Sequence, residues 1–85
     1  MGSKRESHRQ VILYSRPGCH LCEEAAELLE RLARRVPIQV VEINILDDID
    51  LFERYKHSIP VVVIAGGPTL AAPIRPDELE QVLAA

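Results

Sequence analysis

The hydrophobic pattern of this chain changes period across Ser15-Arg16-Pro17-Gly18-Cys19. Before that stretch runs Val11-Ile12-Leu13-Tyr14, a short apolar segment of strand length. After it, apolar residues recur every three or four positions as far as Arg35, which is helical spacing. Pro17-Gly18 breaks the chain between the two. Both cysteines, Cys19 and Cys22, lie at this junction. The first N–H groups of a helix have no intrahelical partner, and the aligned peptide dipoles leave partial positive charge there. A thiolate held at that end is stabilised, so its pKa falls, and the thiolate is the nucleophilic form. The junction therefore places Cys19 as a candidate nucleophile, with Cys22 one turn further into the helix.

Composition narrows the alternatives. Eighty-five residues make one small domain, and an apolar fraction of 47% suffices for a single core. A net charge of −3 gives no basic footprint for nucleic acid. Tyr14, Phe52 and Tyr55 are too few for a stacking platform. No apolar run approaches the ~20 residues of a membrane span. Residues 1–9 are polar and basic and read as a flexible N-terminal arm, with the domain over 10–85. The arm lacks the apolar region of a secretory signal, and Glu6 stands where myristoylation needs Ser or Thr. The expected compartment is cytoplasmic, where a lone cysteine pair is catalytic or metal-binding more often than structural. The expected state is a monomer that engages neither nucleic acid nor membrane.

In chain order, Gln10 to Ser15 is the first strand, whose consecutive apolar residues suit a strand covered on both faces. A helix over about Cys19 to Arg35 carries two adjacent apolar rows, Leu21-Ala25-Leu28-Leu32 and Cys22-Ala26-Leu29-Ala33, that together form a broad buried stripe. Glu27 with Arg31, and Glu30 with Arg34, have the favourable spacing for surface ion pairs. Pro37 ends this helix. Ile38 to Ile45 is a second strand, Asp47-Asp48 a turn and helix cap, and Ile49 to Lys56 a short helix. Val61 to Ala65 is a third strand, Gly66-Gly67 a hairpin turn, and Thr69 to Ala72 a short fourth strand. Pro76 to Leu83 is the last helix, burying Leu79, Val82 and Leu83. The order β-α-β-α-β-β-α needs a right-handed parallel crossover for its first unit and an antiparallel final hairpin. The expected architecture is α/β: a four-stranded mixed sheet flanked by three helices, with helices on both faces.

The segment Tyr14-Ser15-Arg16-Pro17-Gly18-Cys19-His20-Leu21-Cys22, followed by an amphipathic helix, resembles the active-site segment of glutaredoxins. Ser58-Ile59-Pro60-Val61 resembles the proline loop of the thioredoxin fold, and the resemblance covers about residues 10–84. More narrowly, Cys-His-Leu-Cys followed by Glu23 is similar to a group of small bacterial glutaredoxin-like proteins. Two departures stand out. His20 and Leu21 occupy the places where glutaredoxins usually carry proline and an aromatic residue. Gly66-Gly67 is followed by Pro68-Thr69-Leu70, without the acids that hold the γ-glutamyl end of glutathione.

The resemblance implies a thioredoxin fold and a thiol–disulfide oxidoreductase that reduces protein disulfides or glutathione mixed disulfides. Cys19 would attack, and Cys22 would resolve the mixed disulfide. It implies substrate-binding roles for Arg16, near the thiolate and a substrate carboxylate, for His20, for Pro60, and for Ile59, whose backbone would pair with substrate in strand fashion. It implies that Pro60 follows a cis peptide bond. His20, if protonated, would stabilise the Cys19 thiolate, whereas Glu23 and Glu24 act in the opposite sense. No bound cofactor is implied. Glutathione is a candidate co-substrate, and glutathione or a reductase the electron donor. Other readings of the pair remain open: inert buried thiols, a partner-binding adaptor, or a metal or iron–sulfur module. Zinc wants about four ligands, and beyond the pair only His8, His20 and His57 are on offer. A cluster would need a second copy of the chain. Haem attachment fails on spacing, because Glu23 stands where histidine is required.

Overall fold

The computed structural model describes residues 8–84. Most of the expected arm, residues 1–7, lies outside the described residues. The elements are β1 (Arg9–Ser15), α1 (His20–Ala33), β2 (Ile38–Asn44), a 3₁₀ turn (Ile45–Asp47), α2 (Ile49–Tyr55), β3 (Val61–Ile64), β4 (Thr69–Ala71) and α3 (Pro76–Ala84). The four strands form one mixed sheet in the order β2-β1-β3-β4. β1 is parallel to β2 and antiparallel to β3, and β3 is antiparallel to β4. This is the expected architecture.

Alternation along β1 divides the structure into two layers. Val11, Leu13 and Ser15 are buried on one face. Leu13 is in register with Val62, and Val11 with Ile64. Val11, Leu13, Val62 and Ile64 join Ala25, Leu29 and Leu32 of α1 and Leu79 and Leu83 of α3 in a single core cluster. On the other face Tyr14 stacks against Tyr55 of α2, with ring centroids 4.7 Å apart. This second layer is thin, since α2 buries no residue fully and Ile49 is 70% exposed.

Several expected boundaries move by a residue or two, each for a local reason. β1 begins at Arg9, whose N–H donates to the Pro37 carbonyl at 2.9 Å. Ile45 leaves β2 because the Asn44 side chain accepts from Leu46 N–H at 2.9 Å and starts a 3₁₀ turn, which buries Ile45 completely. α1 stops at Ala33, where the N–H groups of Arg34 and Arg35 fall back on the Arg31 and Leu32 carbonyls. The buried stripe of α1 is also narrower than expected. Cys22, Ala25, Leu29 and Leu32 are buried, whereas Leu21 is 55% exposed and Ala33 is exposed. In place of Glu27–Arg31 and Glu30–Arg34, His20 contacts Glu24 within α1, and Arg35, past the end of α1, pairs with Glu80 of α3, a minor exchange because exposed pairs contribute little.

The β3–β4 turn contains Gly66 at φ +72°, a backbone conformation that a side chain disfavours. Gly67 N–H donates to the Ile64 carbonyl within the same turn. α2 opens on Asp48, whose carboxylate accepts from Asp50 N–H at 2.8 Å and Leu51 N–H at 3.2 Å. With so little burial on α2, this cap is a large part of what holds the helix. Asp48→Ala is expected to lower the unfolding free energy by about 1 kcal/mol, read as a fall in the urea midpoint, with Asp48→Asn close to wild type. An unchanged Asp48→Ala midpoint would show that the cap does not support α2.

Candidate functional site

Three features of the chain between β1 and α1 build the site. Ser15 ends the strand in the buried layer. Gly18 turns the chain at φ +78°. Cys19 then takes the N-cap position in an extended conformation (φ −93°, ψ 106°), so its side chain points back over the helix end. Expected as the first helical residue, Cys19 is instead the cap itself. Its Sγ accepts a hydrogen bond from Cys22 N–H at 3.1 Å, and its carbonyl accepts from Glu23 N–H at 3.1 Å.

Cys19 and Cys22 are joined by a disulfide, with Cα atoms 5.2 Å apart. The two sulfurs differ in access. Cys19 is partly exposed, whereas Cys22 is 2% exposed and belongs to the buried stripe of α1. The same N–H that reaches Cys19 Sγ in the oxidised form is a ready donor to a Cys19 thiolate, and such a bond favours the charged state.

The Ile59–Pro60 bond is cis, as is Ala72–Pro73. Pro60 is buried immediately before β3 and lines a groove of about 320 Å³ together with Leu21, Ala72, Pro73 and Ile74. Glu24, Glu27 and Arg31 of α1 also line it. Ala72 N–H donates to the Ser58 carbonyl at 3.2 Å, which ties the proline loop to the segment leading into α3. Ile59 is half-buried, and its N–H donates to the Tyr55 carbonyl at 3.1 Å.

The remaining site candidates separate. The exposed Arg16 side chain lines a second recess, with Cys22 and Ser15. His20 is exposed on the outside of α1, where its Nε2 lies 2.9 Å from Glu24 Oε2. Gly66-Gly67 makes the hairpin turn, and it is Ala72-Pro73-Ile74 that flanks Pro60. Among the described residues, no group of three or more His, Cys, Asp or Glu side chains is arranged to hold a metal ion. No helix among them is long and apolar enough to cross a membrane.

The helical period puts Leu21 in the core, yet it stands exposed beside Pro60. Ser15, Glu42 and Pro73 line the two recesses with no local signal in the sequence to mark them. Leu21 sits between the cysteines on a helix face that no other element covers, and its apolar character alone could not separate those two fates.

Comparison with known proteins agrees with this geometry. Residues 10–84 match the family model described as glutaredoxin-like domain (DUF836). The crystal structure of the structural-genomics target XcR50 from X. campestris is similar, at 32% identity and TM-score 0.70, over 84% of this chain and 91% of that one. The solution structure of Ne2328 from Nitrosomonas europaea is similar at 28% identity and TM-score 0.71, over 87% of this chain and 89% of that one. A mutant thioredoxin from Halobacterium salinarum NRC-1 shares the fold, with TM-score 0.74 at 17% identity, over 93% of this chain and 74% of that one.

Proposed function

The chain belongs to the glutaredoxin-like domain family (DUF836), and on that premise we propose that it is a thiol–disulfide oxidoreductase acting through Cys19 and Cys22. The observation that carries this reading is the asymmetry of the bonded pair: a partly exposed sulfur at a helix N-cap and a buried partner in the first turn. A structural disulfide in a small domain gains most by closing a long loop. This one closes a single turn of helix, which already holds its own ends together.

In the reduced state, the Cys19 thiolate attacks a substrate disulfide and expels one substrate sulfur as a thiolate. Cys22 then attacks Cys19 Sγ, breaks the mixed disulfide and releases the second substrate sulfur. Two electrons pass to the substrate, and the protein is left with the Cys19–Cys22 bond seen in the structure. The substrate lies along the groove beside Pro60 and Leu21. Because the Ile59 N–H is engaged by Tyr55, strand-like pairing with substrate falls to the Ile59 carbonyl. The Arg16 guanidinium and the His20 imidazole stand near the pair, and Glu24 holds the His20 ring.

The substrates in this proposal are disulfide-containing proteins or glutathione mixed disulfides. Glutathione or a reductase returns the electrons, and the protein needs no bound cofactor. It works in the cytoplasm as a monomer, with no nucleic-acid or membrane partner.

A thiol count tests the proposal. The reduced protein carries two thiols and is expected to lose both on mixing with excess protein disulfide or glutathione disulfide, with two substrate thiols released. Thiols that persist under these conditions would reject the oxidoreductase reading. Offering the oxidised protein glutathione, or a thioredoxin-reductase-type enzyme with its nicotinamide donor, then identifies the electron source as the one that restores the thiols.

A further inference from the structure

Ser15 is the one buried polar side chain among the described residues, at 4% exposure. Its hydroxyl donates to Glu42 Oε2 at 2.7 Å. Glu42 stands in register with Leu13 across the parallel β1–β2 pair. Ile38 and Val40 precede it on that face of β2 and pack into the core, so alternation would continue with another apolar residue. An exposed carboxylate stands there instead, on the edge strand of the sheet. Ser15, Glu42 and Cys22 line one recess of about 380 Å³, separate from the Pro60 groove, and Arg16, Glu23 and Asn44 complete the polar part of its wall.

We propose that Glu42, held in place by the Ser15 hydroxyl, accepts the proton of the Cys22 thiol during the resolving step. The inference rests on the oxidoreductase reading above. Once Cys19 has formed a mixed disulfide, Cys22 is a buried thiol. An ordinary thiol has a pKa of about 8.5, and burial among apolar groups raises it. Only the thiolate attacks, so the proton must leave first. It passes through the recess to the Glu42 carboxylate. The Cys22 thiolate then forms its bond to Cys19 Sγ, and the bond from Cys19 to the substrate breaks. The electron pair leaves on the substrate sulfur, which takes a proton from solvent, and Glu42 returns its own proton to solvent. The polar and charged groups that share the recess with Cys22 are the Arg16 cation from the loop, Glu23 from α1, and Ser15, Glu42 and Asn44 from the strands. Of these, Glu42 is the carboxylate anchored to a buried side chain.

Glu42 acting only as a nearby charge would have the opposite effect. A negative charge raises the Cys22 pKa, so removing it would increase the thiolate fraction and speed resolution. General-base assistance predicts slowing. The two accounts therefore differ in sign.

The test is rapid mixing of the reduced protein with dipyridyl disulfide, a neutral probe whose thiopyridone product is followed by absorbance. The first, concentration-dependent phase reports Cys19 attack, and the second, concentration-independent phase reports resolution by Cys22. In Glu42→Gln the first phase is expected to keep its wild-type rate. The second is expected to slow by about tenfold or more near pH 7, the lower end of or below the usual range for a positioned base. The deficit should close at alkaline pH, where the thiol ionises unaided. Ser15→Ala, which frees Glu42 without removing it, should show a smaller deficit of the same sign. A normal first phase with an unslowed or faster second phase in Glu42→Gln overturns the inference alone, as does slowing that persists unchanged at alkaline pH. Absence of the first phase in the wild-type protein overturns the oxidoreductase reading and this inference with it.

Discussion

Replacing Cys19 with serine is expected to return disulfide reduction to the uncatalysed background, whereas replacing Cys22 with serine stops the reaction halfway. The difference follows from where the two sulfurs sit. Cys19 caps α1 and is partly exposed, so it is the sulfur a substrate can reach. A serine oxygen at the same cap can accept the Cys22 N–H bond and support the helix equally well. It cannot form the mixed disulfide, so the fold survives and the chemistry does not. Cys22 is buried in the helix stripe and meets only what is already bound to Cys19. Without it, the first attack proceeds and the substrate stays attached. Intact mass measurement after mixing with a disulfide substrate should find the Cys22→Ser protein carrying one substrate adduct and the Cys19→Ser protein carrying none. The reverse distribution would assign the nucleophile to Cys22. Wild-type turnover by Cys19→Ser would remove the dithiol mechanism altogether.

The same pair of variants bears on substrate class. If the reaction runs on glutathione mixed disulfides, free glutathione can resolve the Cys19 adduct from outside, and Cys22→Ser retains turnover. If the substrate is a protein disulfide, the second substrate sulfur leaves only when an internal thiol displaces it, and Cys22→Ser is inactive. The acidic residues Glu24 and Glu27 beside the Pro60 groove are poor company for the carboxylates of glutathione. The expected outcome is therefore greater dependence on Cys22 than a glutathione-specific site would show.

What could be read from the sequence, and what could not, divides by the range of the interaction. The strand–turn–helix junction was legible because each part is local: an apolar run, Pro17-Gly18, and a 3.6-residue period. The Asp48 cap was legible for the same reason. The cis bond before Pro60 came from the likeness of Ser58-Ile59-Pro60-Val61 to a known loop, since local chemistry does not separate it from an ordinary proline. Nothing comparable pointed to the cis bond before Pro73. The Ser15–Glu42 hydrogen bond spans 27 positions and exists only because the parallel register sets the two strands side by side. Taken singly, Glu42 is a polar residue in a strand, and only the register reveals that it is exposed on the same side of the sheet as Leu13. The α1 stripe was half legible. Its period was plain, but which of two adjacent rows faces the sheet depends on how the helix rolls against β1.

That roll gives the largest expected effect on stability. Leu29 is fully buried and sits in the cluster that joins α1 to β1, β3 and α3. Leu29→Ala removes buried methyl and methylene groups and leaves a cavity that a small, tightly packed core closes only in part, at a cost of about 2–5 kcal/mol. A domain of this size has a total stability of roughly 4–13 kcal/mol, so the loss is a large fraction of the whole. In thermal denaturation, with the cysteine pair held in one redox state throughout, the midpoint should fall by about 10–25 °C. Leu21→Ala is the control on the same helix. It deletes the same groups from a side chain 55% exposed, and the expected change is within about 0.5 kcal/mol. Its effect should instead appear in the Michaelis constant for a protein disulfide, because Leu21 lines the groove beside Pro60. Equal destabilisation by the two variants would mean that α1 is rolled toward the broader stripe read from its periodicity. The Pro60 groove would then lose Leu21 from its apolar wall.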